Sequence, residues 1–386
     1  MQRIYLDNAA TSWPKPPAVY DAIDRYQREV GASAGRGAYD SASEAGGVVR
    51  AARSAVARLI GAPDASHVAF SSGGTESLNL AIQGVLRPGD HVVSTVCEHN
   101  AVLRPLALLG RSRGVRVDYV RCGEDGVVDP SEIAAAIRPD TRLVTLTSAS
   151  NVTGAVQPIE EVGRICRERE VLLLVDAAQS LGHLPVDVEA SAISLLAAPA
   201  HKGMLGPMGV GVLYVAPGVE AQLQPLLVGG TGVDSQSASP PEQMPQRYEA
   251  GSLNVPSLAG LAAGLDWLQE HASERRANQS PAEMTQRLID GLAAIEGVRL
   301  IGPPADATRA PVVCFSVDGY DPHDVTAVLA TSGIECRAGL HCSPKMHQAL
   351  GTAGDGGAIR LSPGIGTTAE QVDATLQVLA SLACVV

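Results

Sequence analysis

Ala192-Ile193-Ser194-Leu195-Leu196-Ala197-Ala198-Pro199-Ala200-His201-Lys202-Gly203-Met204-Leu205-Gly206-Pro207-Met208-Gly209-Val210-Gly211-Val212-Leu213-Tyr214-Val215 holds two apolar runs around one lysine. The runs at 192–196 and 210–215 read as buried strands, with Lys202 at the turn between them. A histidine precedes the lysine and glycines follow it. Burying an ammonium is costly unless the amine is neutral or paired. Two readings fit: a surface loop with a solvated lysine, or an amine joined as an imine to an aldehyde cofactor.

Upstream of this stretch the chain alternates. Strands are expected at His67–Phe70, His91–Ser94, Val115–Val120, Leu143–Thr147 and Val171–Val175. Helical spacing runs from a Ser43 cap through Val48–Ile60, and from the Ser71–Ser77 turn through Ile82. It recurs at Ala101–Leu109, Ser131–Ile137 and Ile159–Arg169. Apolar strands alternating with helices specify an α/β fold with a mostly parallel sheet covered on both faces. Ligands in such folds bind beyond the carboxyl ends of the strands. Trp13-Pro14-Lys15-Pro16-Pro17 halts regular structure, Gly31–Gly37 is a loop containing Arg36, and Val228–Gly251 is a long loop. Past Pro256 a helix to Glu270 leads to a second, smaller domain. That domain carries helices at Pro281–Ile295, Pro322–Leu329 and Ala369–Ala380. Its strands are at Pro311–Val317, Ile334–Cys336 and Ala358–Leu361.

The 386 residues are 45% apolar but only 3% aromatic, so the core must be built of Ala, Val and Leu. A formal net charge of −12 argues against nucleic acid or an anionic membrane as partner, since both need a basic face. The seven cysteines, Cys97, Cys122, Cys166, Cys314, Cys336, Cys342 and Cys384, include no C-x-x-C pair. They read as reduced thiols, with neither a disulfide framework nor a metal site. No signal peptide or membrane-spanning run is read, and the expected address is the cytoplasm.

Several residues carry possible chemistry. Asp176 ends an apolar strand and stands 202 − 176 = 26 residues before Lys202, room for one connection and one more strand. A carboxylate there needs a cation, for which a protonated pyridine nitrogen would serve, or else it caps a turn. Ser71–Thr75 offers backbone N–H groups at a helix start, suited to a phosphate or to simple chain reversal. His99, Asn151, Gln179 and His183 follow strand ends. Arg360 lies in a short apolar strand, for a substrate carboxylate or an internal ion pair. Cys342 has His341 beside it and Arg337 near it, and positive neighbours favour a thiolate. Cys122, Cys166, Cys314, Cys336 and Cys384 read as inert small apolar residues.

Taken together, Tyr5-Leu6-Asp7-Asn8-Ala9-Ala10-Thr11, Ser72–Ser77, Glu98-His99-Asn100, Ser150–Gly154, Asp176–Ser180, His201-Lys202, Glu249–Ser252, Arg337–Cys342 and Ile359-Arg360 make the chain resemble a known group. It resembles the fold-type I pyridoxal-phosphate enzymes of the class V aminotransferase group, and within them the cysteine desulfurases. The resemblance implies a three-layer sandwich plus a smaller α+β domain. The arm 1–20 would belong to the small domain, residues 21–255 would form the large cofactor-binding domain, and 256–386 the small C-terminal one. Lys202 would carry pyridoxal 5'-phosphate as an imine and move the proton at the substrate α-carbon. Asp176 would pair with the pyridine nitrogen, Gln179 with the ring hydroxyl, and His99 would stack on the ring as a further catalytic group. Gly74, Thr75 and His201 would bind the phosphate, with Ser252 reaching in from a second subunit of a homodimer. Asn8, Ala9, Asn151, Arg337 and Arg360 would form the substrate site, Arg360 gripping the carboxylate of L-cysteine. Cys342 would take the sulfur as a persulfide for a sulfur-acceptor protein.

Two departures from the group stand out. Pro199 replaces a usual Ser or Thr, losing a hydroxyl and an N–H toward the phosphate. Ser362–Thr368 lacks the Tyr/Phe-Asn often found there. The alternatives are a selenocysteine lyase, a C–S lyase or an aminotransferase of the same fold, or a cofactor-poor scaffold for sulfur transfer.

Overall fold

The computed structural model describes residues 3–35, 37–233, 236–272 and 280–383. Arg36 and Cys384 lie outside them. In the first part of the chain come β1 (Ile4–Tyr5), α1 (Pro17–Arg25), α2 (Asp40–Leu59), β2 (Val68–Ser71), α3 (Gly74–Val85), β3 (His91–Thr95), α4 (Asn100–Arg113) and β4 (Arg116–Val120). There follow α5 (Pro130–Ala136), β5 (Thr141–Thr147), α6 (Ile159–Glu168), β6 (Leu172–Asp176), β7 (Leu195–Pro199), β8 (Gly211–Val215) and α7 (Val255–Glu270). The last part holds α8 (Pro281–Ala293), β9 (Val298–Ile301), β10 (Val313–Val317), α9 (Pro322–Thr331), β11 (Ile334–Glu335), β12 (Arg337–Gly339), α10 (Pro344–Ala349), β13 (Ala358–Leu361) and α11 (Ala369–Ala383).

Seven strands form the large sheet in the order β2-β8-β7-β6-β5-β3-β4, with only β8 running against its neighbours. Successive residues of β6 pack on opposite faces. Leu173 and Val175 join a core with α2, α6 and α7, whereas Leu174 joins one with α3 and α4. The period-2 alternation of a strand thus feeds two apolar cores, which is why these strands read as unbroken apolar runs. The result is the expected three-layer sandwich.

A second sheet, antiparallel in the order β12-β13-β10-β9, packs on α8, α9 and α11. Ile4 and Leu6 join this core, and β1 pairs with β11. The N-terminal arm is thereby tied to the C-terminal unit. Helix α7, assigned above to the small domain, instead buries Leu258, Leu261 and Leu265 in the large core.

Some elements differ from their expected form for local reasons. Helix α1 begins at Pro17, inside the proline run read as a stop, because a proline in the first turn loses no helix bond. Helix α2 starts at Asp40, before the expected Ser43 cap, since the N–H groups of Ala42 and Ser43 already reach the Tyr39 carbonyl. In the long loop, Gln246–Tyr248 makes a single 3-10 turn, and the next residue, Glu249, is anchored. Arg53 of α2 grips Glu249 with two bonds of 2.7 and 2.9 Å, and the Phe70 N–H adds a third at 2.7 Å. No described helix is long and apolar enough to cross a membrane.

Candidate active site

The carboxyl ends of β3, β5, β6 and β7 open on one cavity of about 440 Å³. Ala197 of β7 pairs with Asp176 of β6, so the turn that follows β7 carries Lys202 to the Asp176 end of the sheet. Gly74, Thr75, His99, Asn151, Asp176, Gln179, His201 and Lys202 all line this space. Those are the expected cofactor-binding residues except Ser252, which is exposed on the loop before α7. A larger cleft, about 950 Å³, lies between α2, α7 and residues 307–311 and holds none of these groups.

Burial drives both charged groups toward neutrality. Lys202 is half-buried by surface area because it faces the cavity, yet the protein around its amine pushes it down to about 8. Asp176 opposes that fall, while Arg360 and Arg337 add to it. Asp176 is itself raised by burial, held back by the Ala178 N–H at 2.9 Å and by Lys202. Beside it Glu98 is fully buried and pushed up to about 8, first by burial and then by the Asp176 charge. Its Oε1 accepts from the Thr95 hydroxyl and the Thr147 N–H, both at 3.0 Å, and its Oε2 has no partner. At neutral pH Glu98 therefore holds its proton and leaves the negative charge to Asp176. Sequence reading quoted Glu98 in a motif but gave it no role, because only the fold sets it beside Asp176.

His99 caps α4. Its Nδ1 accepts from the Ala101 N–H at 3.0 Å, so the ring proton resides on Nε2. Burial, then Lys202 and two arginines, lower its pKa to about 4, which keeps it neutral. His201 is lowered to about 4 as well, by burial, then Lys202 and Lys15. Its buried Nδ1 has no partner. Helix α3 opens at Gly73 and Gly74 with no side-chain cap. A Cβ on Gly74 would lie 2.9 Å from the Pro199 ring, so this glycine lets the strand end and the helix start touch. The Ser72 hydroxyl is already given to Glu76.

These residues fit pyridoxal 5'-phosphate. The uncapped helix start and the bare His201 nitrogen suit a phosphate, Asp176 suits a pyridinium, and Lys202 suits an aldehyde. Pro199 brings the cradle no donor, and its ring lies against Gly74.

The cysteine turn is bonded to Asn151, which lines the cavity, and to Asn100, beside His99. His341 and Cys342 both adopt left-handed backbone, with φ of 47° and 59°, at a cost of about 1 kcal/mol or more each. Hydrogen bonds hold the pair there. Asn100, at the start of α4, donates its N–H to the Cys342 carbonyl at 2.8 Å, and Asn151 Nδ2 donates to the His341 carbonyl at 2.6 Å. Behind them His341 Nδ1 meets His347 Nε2 at 3.1 Å, and His347 Nδ1 meets Thr352 Oγ1 at 2.7 Å. Cys342 is exposed. Burial pushes the Cys166, Cys314 and Cys336 thiols up to about 12, in keeping with inert residues. Cys122 differs, its thiol lowered by a hydrogen bond from the buried Cys97.

Arg360 is almost fully buried. Its Nη1 donates to the Asn151 carbonyl at 2.9 Å and its Nη2 to Asp7 Oδ1 at 2.7 Å, while its buried Nε has no partner. Arg337 reaches Asp7 Oδ2 at 2.9 Å. Asp7 is thus the counter-ion of both arginines, a role the sequence did not reveal. Ala9 accepts from Gln179 Nε2 at 2.9 Å. The Asn8 amide is spent on Ser362 O and the Trp13 N–H, so it fastens the arm and does not line the cavity.

A lysine and an aspartate at the strand ends of such a sandwich define a fold-type I enzyme. The chain belongs to the class-V aminotransferase family, whose model matches residues 4–375, and that family is one of pyridoxal-phosphate enzymes. It is 38% identical to a probable cysteine desulfurase of Methanothermobacter thermautotrophicus, covering 98% of this chain and 94% of that protein. It is 34% identical to the cysteine desulfurase of Haloferax volcanii, covering 91% and 83%. Its structure resembles the apo cysteine desulfurase of Thermococcus onnurineus, with a TM-score of 0.92, 32% identity, and 100% and 95% of the two chains covered. The S-sulfonic acid form of the cysteine desulfurase CsdA of Escherichia coli is similar too, at a TM-score of 0.87, 28% identity, and coverage of 100% and 95%.

Proposed function

We propose that this enzyme is a pyridoxal 5'-phosphate-dependent L-cysteine desulfurase that releases L-alanine and keeps the sulfur as a persulfide on Cys342. The observation that carries the reading is Asn151. It lines the lysine cavity, bonds the turn that bears Cys342 and receives Arg360. One residue thus joins the cofactor cavity, the arginine and the thiol turn.

When bound, the cofactor supplies an electron sink for charge at the substrate α-carbon. Gly74, Thr75 and His201 would hold its phosphate, Asp176 and Gln179 would hold its ring, and His99 would lie against that ring. The free Nε of Arg360 addresses the substrate carboxylate, with Arg337 and Ala9 on the same side. Lys202, with its pKa near 8, moves the α-proton. The Cys342 thiolate attacks the substrate sulfur. An S–S bond forms as the Cβ–S bond breaks, the electron pair passes to Cβ, and protonation there completes alanine. His99 donates only through Nε2, so it acts as a hydrogen-bond donor and not as a base.

We place the enzyme in the cytoplasm as a homodimer. The Arg53–Glu249 pair holds the loop that presents the exposed Ser252, which we assign to a second subunit's phosphate site as the family resemblance implies. The exposed thiol suits delivery to an acceptor protein. Replacing Cys342 by alanine is expected to keep the visible absorbance of bound cofactor and to abolish alanine formation, a loss of about 10³-fold or more. Alanine release at the wild-type rate would remove the persulfide step. Pyruvate in place of alanine would point to a C–S lyase.

A further inference from the structure

The Cys342 turn hangs on a hydroxyl that a helix would ordinarily keep. Ser343 occupies the N-cap position of α10, where a serine oxygen usually accepts from an N–H two or three residues on. Here it makes no such bond. Ser343 is fully buried, and its Oγ donates to Asn151 Oδ1 at 2.8 Å. The other end of the same amide, Nδ2, donates to the His341 carbonyl at 2.6 Å. A carbonyl only accepts, so this contact fixes which way the amide faces and makes Ser343 the donor. The two bonds grip the residues on either side of Cys342. Each end of the Asn151 amide still has one N–H or lone pair to offer the cavity.

We propose that Ser343 is a positioning residue: its bond to Asn151 latches the thiol-bearing turn over the cavity and couples that turn to a residue facing the substrate. His341 and Cys342 both hold left-handed backbone, a conformation that persists only while its surroundings impose it. Without the hydroxyl, Asn151 keeps its bond to His341 and loses the one to Ser343, so the turn is gripped on one side of Cys342 only. The thiol then samples positions away from the substrate sulfur. The latch belongs to the persulfide step of the desulfurase reading, but its geometry stands without it.

The test compares holoenzymes of the wild type, Ser343→Ala and Ser343→Thr in two assays. One follows alkylation of Cys342 by iodoacetamide, read by peptide mass spectrometry. The other follows alanine formed in the first turnover across a range of L-cysteine. Ser343→Ala is expected to keep the visible cofactor absorbance and the KM, to slow the first turnover about tenfold, and to speed alkylation about threefold. Ser343→Thr, which keeps the hydroxyl, returns both toward wild type. Equal alkylation and turnover in wild type and Ser343→Ala overturn the proposal, as does altered alkylation with an unchanged first turnover. An alkylation difference in a protein that forms no alanine supports the latch and removes the desulfurase reading.

Discussion

Lys202 stands at the end of a strand whose five residues are all buried, whereas Cys342 stands exposed on a turn held from several directions. The lysine end takes its chemistry from its surroundings. Burial lowers the amine, raises Asp176 and Glu98, and leaves one negative charge to meet a ring. The cysteine end takes its chemistry from placement, through bonds from Asn100 and Asn151 that keep two left-handed residues in line. Changes at the first end should therefore move pH profiles and cofactor affinity. Changes at the second should move rates and thiol access.

The largest effect expected on the lysine side is structural. Arg53→Met leaves Glu249 buried without its cation, and should cost about 3–5 kcal/mol of stability in urea denaturation. A loss below about 1 kcal/mol would show that the loop carrying Ser252 is not held by this pair.

Next comes a slope. Glu98 is protonated in the folded protein up to about 8 but ionises near 4.5 when unfolded, so over that window the native state binds more protons. Its contribution to stability is present at low pH, falls as pH rises through the window, and is level above it. Glu98→Gln mimics the protonated form. Its urea midpoint should gain on wild type steadily from about pH 5 to about pH 8. A difference independent of pH would break the claim that burial keeps Glu98 neutral.

Asp176→Asn removes the charge that holds the Lys202 pKa up. The rate at which apoenzyme captures added cofactor should rise with pH, with its midpoint near 8 in the wild type, because only the neutral amine attacks. In Asp176→Asn the midpoint should move lower, and cofactor affinity should fall about 10- to 100-fold through loss of a charged partner. An unmoved midpoint would separate the two groups.

Pro199→Ser is the smallest change. The added hydroxyl and N–H should tighten cofactor binding about three- to tenfold by equilibrium titration. Weaker binding would mean that the Pro199 ring against Gly74 matters more than a hydroxyl.

The same contrast governs what could be read in advance. The strand alternation, the Asp176 and Lys202 strand ends and the glycine-rich start of α3 were legible, because each depends on residues close in sequence. The resemblance supplied the rest of the cavity lining. Asp7 on Arg360 spans 353 positions and Ser343 on Asn151 spans 192, and no periodicity encodes such pairs. Glu98 lies in one of the motifs, but its protonation is set by burial in the fold and then by Asp176 on another strand. Asn8 was expected at the substrate, yet its amide is consumed in fastening the arm to Ser362 and Trp13.

The most direct test is one turnover of the holoenzyme with a single equivalent of L-cysteine, stopped without reductant and read by peptide mass spectrometry beside amino-acid analysis. One sulfur atom should be gained on the peptide that contains Cys342, with one alanine formed per sulfur. Alanine without added sulfur on Cys342, or sulfur carried by another cysteine, would contradict the account.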